Sequence, residues 1–92
     1  DELADEMAAI ANAGGGVVVL GVDDRREIIG IADGRLDDVE RFVVDIARDT
    51  IAPSLAPIIE RLSLPASDGS LRPVIRVEMP RSLFVHRSPG GY

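Results

Sequence analysis

The chain has no cysteine and no lysine, and its one histidine is His86. Without cysteine, disulfides, thiolate nucleophiles and cysteine-ligated zinc are excluded. Without lysine, a Walker-type phosphate loop and Schiff-base chemistry are excluded within these residues. One histidine does not build the two- or three-histidine zinc sites of hydrolytic enzymes. Aromatics are scarce: one Tyr, two Phe and no Trp. No apolar run approaches the roughly 18 residues of a membrane span. The opening Asp1-Glu2-Leu3 is acidic, unlike the basic start of a secretory signal, so a cytoplasmic protein with no membrane partner is expected.

What is present fits one small domain. The 92 residues are 46% hydrophobic, an apolar fraction too high for a disordered chain. Sixteen acids face ten basic residues, all arginine, for a net charge of −6. That balance opposes broad, non-specific binding to nucleic acid, yet local arginine clusters can still meet phosphate.

Leu3, Met7, Ile10 and Ala11 recur at helical spacing and predict a helix over residues 1–13. Asp1, Glu2, Asp5 and Glu6 suit its positive N-terminal end, and Gly14-Gly15-Gly16 ends it through a left-handed cap. No capping residue precedes Asp1, so the chain is expected to start inside a domain. Residues 17–22 form a β-branched run without polar alternation, which reads as a central strand covered on both faces. Asp23-Asp24-Arg25-Arg26 breaks it and residues 27–31 resume, predicting a hairpin. Leu36, Val39, Val43, Ile46, Ala47 and Ile51 draw one helical stripe, with Asp37 and Arg41 spaced as an i, i+4 ion pair. Pro53 and Pro57 end that helix. Residues 58–64 and 74–79 predict a second hairpin around Asp68-Gly69, closed by Pro80. The expected fold is α+β, with two helices packed on a four-stranded, largely antiparallel sheet.

Three groups of residues are candidates for chemistry. The glycines Gly14-Gly15-Gly16 follow a helix and precede a strand, the reverse of a phosphate-cradling loop, which favours a structural role. Asp23 and Asp24 end a strand and either bind a divalent cation with further acids or serve as turn residues neutralised by Arg25-Arg26. Arg72, Arg76, Arg81 and Arg87, with His86 and Tyr92, make the last third relatively basic. They either meet a nucleic-acid backbone or form a solvated face, with Arg76 paired to Glu60 or Glu78. His86 has no evident nucleophile partner, although Ser88 is near in sequence.

The segment Ala8-Ala9-Ile10-Ala11-Asn12-Ala13-Gly14-Gly15-Gly16-Val17-Val18-Val19-Leu20-Gly21-Val22-Asp23-Asp24, followed by Glu27-Ile28-Ile29-Gly30-Ile31, resembles the signature of the Schlafen AlbA-like domain family. There, an A-N-(S/T)-x-G-G helix end precedes a G-V-D-D strand end and an (I/V)-x-G strand. Ala13 departs from the usual Ser or Thr. The helix end at Ile51-Ala52-Pro53, the Asp68-Gly69 turn and the run from Leu83 to Tyr92 agree in order and spacing. The resemblance spans nearly the whole chain, as the core of one such domain over residues 1–92. The family's first strand is expected upstream of Asp1 and its last beyond Tyr92.

The resemblance implies an Alba-like fold, related to the C-terminal domain of translation initiation factor three. It also implies a DNA-binding module of a bacterial transcriptional regulator, needing no cofactor. Arg76, Arg81, His86 and Arg87 are then the expected nucleic-acid contacts, DNA before RNA. Asn12, Gly14, Gly15, Gly21 and Gly30 are the expected structural positions. The alternative is a metal-dependent ribonuclease. In nuclease members, upstream glutamates join the second Asp of G-V-D-D, which Asp24 matches, around Mg²⁺ or Mn²⁺, with Asp23 as a further ligand candidate. A third reading is a homo-oligomeric assembly module without catalysis.

Overall fold

A computed structural model describes residues 2–81 and 85–88. The first helix, α1 (Glu2–Asn12), buries Ala4, Met7, Ala8 and Ala11, spaced one helical turn apart on a single stripe. Leu3 and Ile10 flank that stripe and pack half-buried against the core. Strand β1 is Gly16–Leu20. A 3₁₀ turn at Asp33–Arg35 leads into α2 (Leu36–Asp45), whose last turn widens into a π-helical turn at Ile46–Thr50. Strands β2 (Ile58–Pro65) and β3 (Leu71–Met79) form the closing hairpin. Among the described residues, no helix is long and apolar enough to cross a membrane.

The sheet has three antiparallel strands in the order β1-β3-β2. Val18 pairs with Val77 and Val77 with Ile59, while Leu20 pairs with Ile75. Strand geometry places these residues on one face, where they meet Met7, Val43, Ile46, Ala47, Ile51 and Met79 in the core. Both helices therefore cover the same face of the sheet. Strand β3, with Val74, Ile75, Val77 and Met79 all buried, is its centre.

Three expectations need correction. The run after the glycines is an edge strand, not a central one. Val17 and Val19 remain 43% and 37% exposed on the face the helices leave open. An apolar run reports hydrophobicity, whereas its place in the sheet depends on β3, some sixty positions away in the chain, which carries partners on both sides.

The second correction concerns residues 27–31, which add no fourth strand. They make one bridge, between Val22 and Ile28. Beyond it, the Gly21 carbonyl accepts hydrogen bonds from both Ile29 and Gly30, and Ile31 donates to Pro73 at 2.8 Å. Gly21 and Gly30 take positive φ angles of 102° and 86°. The chain thus folds back on the end of β1 and does not run alongside it.

The expected Asp37–Arg41 pair is also replaced. Asp37 and Glu40 of α2 both grip Arg61 of β2, at 2.5 and 2.9 Å. A cross-element clamp ties helix to sheet where an intrahelical pair was expected. The Arg61 guanidinium holds the Glu40 carboxyl below the usual carboxylate range, chiefly by hydrogen bonding.

Candidate nucleic-acid interface

Residues 86–88, which follow β3 in the chain, are fixed by polar contacts to distant positions. Asn12, at the end of α1, accepts a hydrogen bond from the His86 amide at 2.7 Å and donates to the His86 carbonyl at 2.8 Å. Arg87 and Ala52 exchange a matching backbone pair, each at 2.8 Å. Ser88 donates to the Asp5 carboxylate. His86 is 3% exposed, and its Nδ1 lies 2.6 Å from the Pro53 carbonyl. A carbonyl only accepts, so Nδ1 carries the proton in that bond. His86, expected as a nucleic-acid contact, is thus a buried anchor whose neighbour Arg87 is exposed.

The arginines divide by partnership. Arg76 sits on the open sheet face within 3.0 Å of Glu78 and 3.7 Å of Glu60, its partner across the strands, the two acids expected to pair with it in the alternative to a nucleic-acid contact. Arg72 holds Asp68 at 3.0 Å and the Ile28 carbonyl at 3.2 Å, bracing the 28–30 segment against β3. Arg48 pairs with Asp45 and Asp49. Arg81 and Arg87 are exposed, and neither side chain has a partner among the described residues. Arg25, Arg26, Arg35 and Arg41 also lack ion pairs among the described residues, but each has an Asp or Glu within two positions in sequence. Arg81 and Arg87 have none that near.

Between Arg81 and the anchored segment lies a cleft of about 310 Å³, lined by Pro53, Ser54, Leu55, Ala56, Pro80, Arg81 and His86. Leu55 donates its amide to Ala47, and the Ser54 hydroxyl donates to the Arg48 carbonyl at 2.6 Å. These bonds hold the 53–56 wall to the end of α2. Sequence reading found Arg81, His86 and Arg87 but not Pro53, Leu55 and Ala56, because their approach depends on a backbone pair 35 positions apart. Tyr92, the aromatic candidate of this region, lies outside the described residues.

The two aspartates have separate roles. Asp23 Oδ1 accepts from the amides of Arg25 and Glu27, both at 2.9 Å, and closes the loop after β1. Asp24 is exposed and carries no such bond. Among the described residues, no three His, Asp or Glu side chains gather at a potential metal site. Mg²⁺ keeps several waters and is held by one or two carboxylates, so Asp24 and Asp23 could supply only part of such a shell, and the further acids that the nuclease alternative calls for do not gather beside them among the described residues.

The glycines support the frame. Gly15 abuts the Met79 carbonyl and the Arg81 amide, where a Cβ would lie 2.8 and 3.0 Å away. Its amide bonds the Ile10 carbonyl and helps end α1. Gly30 lies equally tight against the Arg72 side chain.

No curated protein and no solved structure matches this chain. The family model described as Schlafen, AlbA_2 matches residues 1–89, and the chain belongs to that family.

Proposed function

We propose that this chain is a nucleic-acid-binding regulatory domain that grips the sugar–phosphate backbone through Arg81 and Arg87. The observation that carries the reading is the pair of exposed, unpartnered guanidiniums, Arg81 just after β3 and Arg87 within residues 86–88, which are anchored at Asn12, Ala52 and Asp5. Cations on a fixed support meet phosphate without the ordering cost of a free loop. Membership of the Schlafen, AlbA_2 family supports the same reading. The DNA-binding role, the setting in a bacterial transcriptional regulator and the Alba-like frame belong to this proposal. Arg76 is a secondary contact, since phosphate would compete there with Glu60 and Glu78. His86 acts by holding Arg87 in place.

The net charge of −6 opposes DNA overall, so binding is modest and sensitive to salt. The test is fluorescence anisotropy of labelled DNA against the protein and its Arg81→Ala/Arg87→Ala variant. Neither residue is buried, so the variant folds. Loss of binding in the double variant supports the reading. Equal binding by both proteins, or no binding by either, overturns it.

A further inference from the structure

We infer that the cleft between residues 53–56 and 80–81 seats one unpaired nucleobase, so that the domain prefers single-stranded to duplex nucleic acid. This deepens the reading above and rests on it. Three observations point to that occupant.

The first is wall chemistry. Pro53, Leu55, Ala56 and Pro80 supply apolar surface, while Ser54, Arg81 and His86 supply the polar part of the lining. A flat, largely apolar body bearing polar edges and an adjoining anion matches that division.

The second is charge. None of the described residues lining this cleft is acidic, in a chain with sixteen acids. Other clefts differ: one along α2 sets Asp37, Glu40 and Asp45 beside Arg41 and Arg48, a second sets Asp38 beside Arg35, and the one on α1 has Glu2, Asp5 and Glu6. A phosphate-linked ligand meets at least one carboxylate in each of those and none here, where Arg81 lines the cleft and Arg87 follows His86. The two free guanidiniums are placed to contact the phosphates adjoining the seated base.

The third is size. At about 310 Å³ the cleft lies at the lower limit of small-ligand pockets. That is room enough for a nucleobase. A base inside a duplex must be unpaired and extruded before it enters such a recess, whereas a single strand offers it without that cost. The preference should therefore be on the order of tenfold or more.

The experiment titrates the intact chain into three labelled DNAs of equal length: a single strand, its duplex, and a single strand with abasic sites throughout. The abasic strand keeps the phosphates and removes the bases. It is compared on unmodified protein, so the result does not depend on a variant folding. Ala56→Trp then fills the cleft from an exposed position, leaving Arg81 and Arg87 untouched. Its fold is checked by an unchanged urea midpoint.

The expected result is single strand bound about tenfold more tightly than duplex or abasic strand. In Ala56→Trp, single-strand affinity falls to the duplex level. Equal binding of all three DNAs overturns the inference and leaves the backbone-binding reading standing. No binding of any of them overturns both.

Discussion

Asn12 and His86, 74 positions apart, are joined as though by a β-bridge: the Asn12 side-chain amide exchanges two hydrogen bonds with the His86 backbone. One primary amide satisfies a donor and an acceptor at once, and α1 thereby fixes the segment carrying Arg87. Asn12→Asp keeps the acceptor for the His86 amide but sets a carboxylate oxygen against the His86 carbonyl. It should destabilise the fold by about 1–3 kcal/mol, the cost of leaving a part-buried polar group unsatisfied. Urea denaturation reads the loss, and hydrogen exchange should show it concentrated at residues 85–88. An unchanged midpoint contradicts the role given to Asn12.

The adjacent glycines Gly14 and Gly15 separate strain from collision. Both have positive φ, 106° and 98°, so alanine at either meets left-handed strain of roughly 1–2 kcal/mol. A Cβ at Gly14 meets nothing within 4 Å, whereas at Gly15 it lies 2.8 Å from the Met79 carbonyl. Gly15→Ala should therefore cost at least about 1 kcal/mol more than Gly14→Ala. Thermal unfolding of the two variants decides it, and equal losses would place the effect in backbone strain alone.

Asp23 and Asp24, identical and adjacent, should respond differently. Asp23→Ala removes the acceptor for two backbone amides and should cost about 1 kcal/mol. Asp24→Ala removes no hydrogen bond among the described residues and should change stability by less than about 0.5 kcal/mol. Calorimetry with Mg²⁺ or Mn²⁺ should find no tight site in the chain, and Asp24→Asn should leave that result unaltered. A tight site that this substitution abolishes would restore the metal role expected from the G-V-D-D motif.

These contrasts show where sequence reading works. Local signals placed α1, the glycine end, the α2 stripe from Leu36 to Ile51 and the Asp68-Gly69 hairpin, because each depends on residues within one element or turn. It failed at residues 27–31, where apolar composition suggests a strand but Gly21 and Gly30 turn the chain back and Ile31 finds Pro73. The exposure of Val17 and Val19, the capture of Asp37 by Arg61 and the burial of His86 all depend on partners more than twenty positions away. No local periodicity encodes those distances.

The hairpin turn carries a pH signature. Asp68 is held at about 2, below its ordinary 3.8, chiefly by the Ser70 hydroxyl, then by the Ser70 amide, with Arg72 adding to both. A carboxyl with a lowered folded pKa stabilises the fold above its unfolded value, and that contribution is lost as pH falls from about 3.8 through about 2. Carboxyl NMR titration should place the Asp68 midpoint near 2, and Ser70→Ala should move it upward. A midpoint unmoved by Ser70→Ala would contradict the assigned cause.

The central claim, that Arg81 and Arg87 meet phosphate, is tested most directly by the salt dependence of DNA binding. Each phosphate neutralised on duplex DNA contributes about −0.9 to the slope of log K against log salt, and about −0.7 on a single strand. Arg81→Ala/Arg87→Ala should therefore make the slope shallower by about 1.4–1.8 while lowering affinity evenly across sequences. A double variant that folds normally and keeps the original slope would contradict the account.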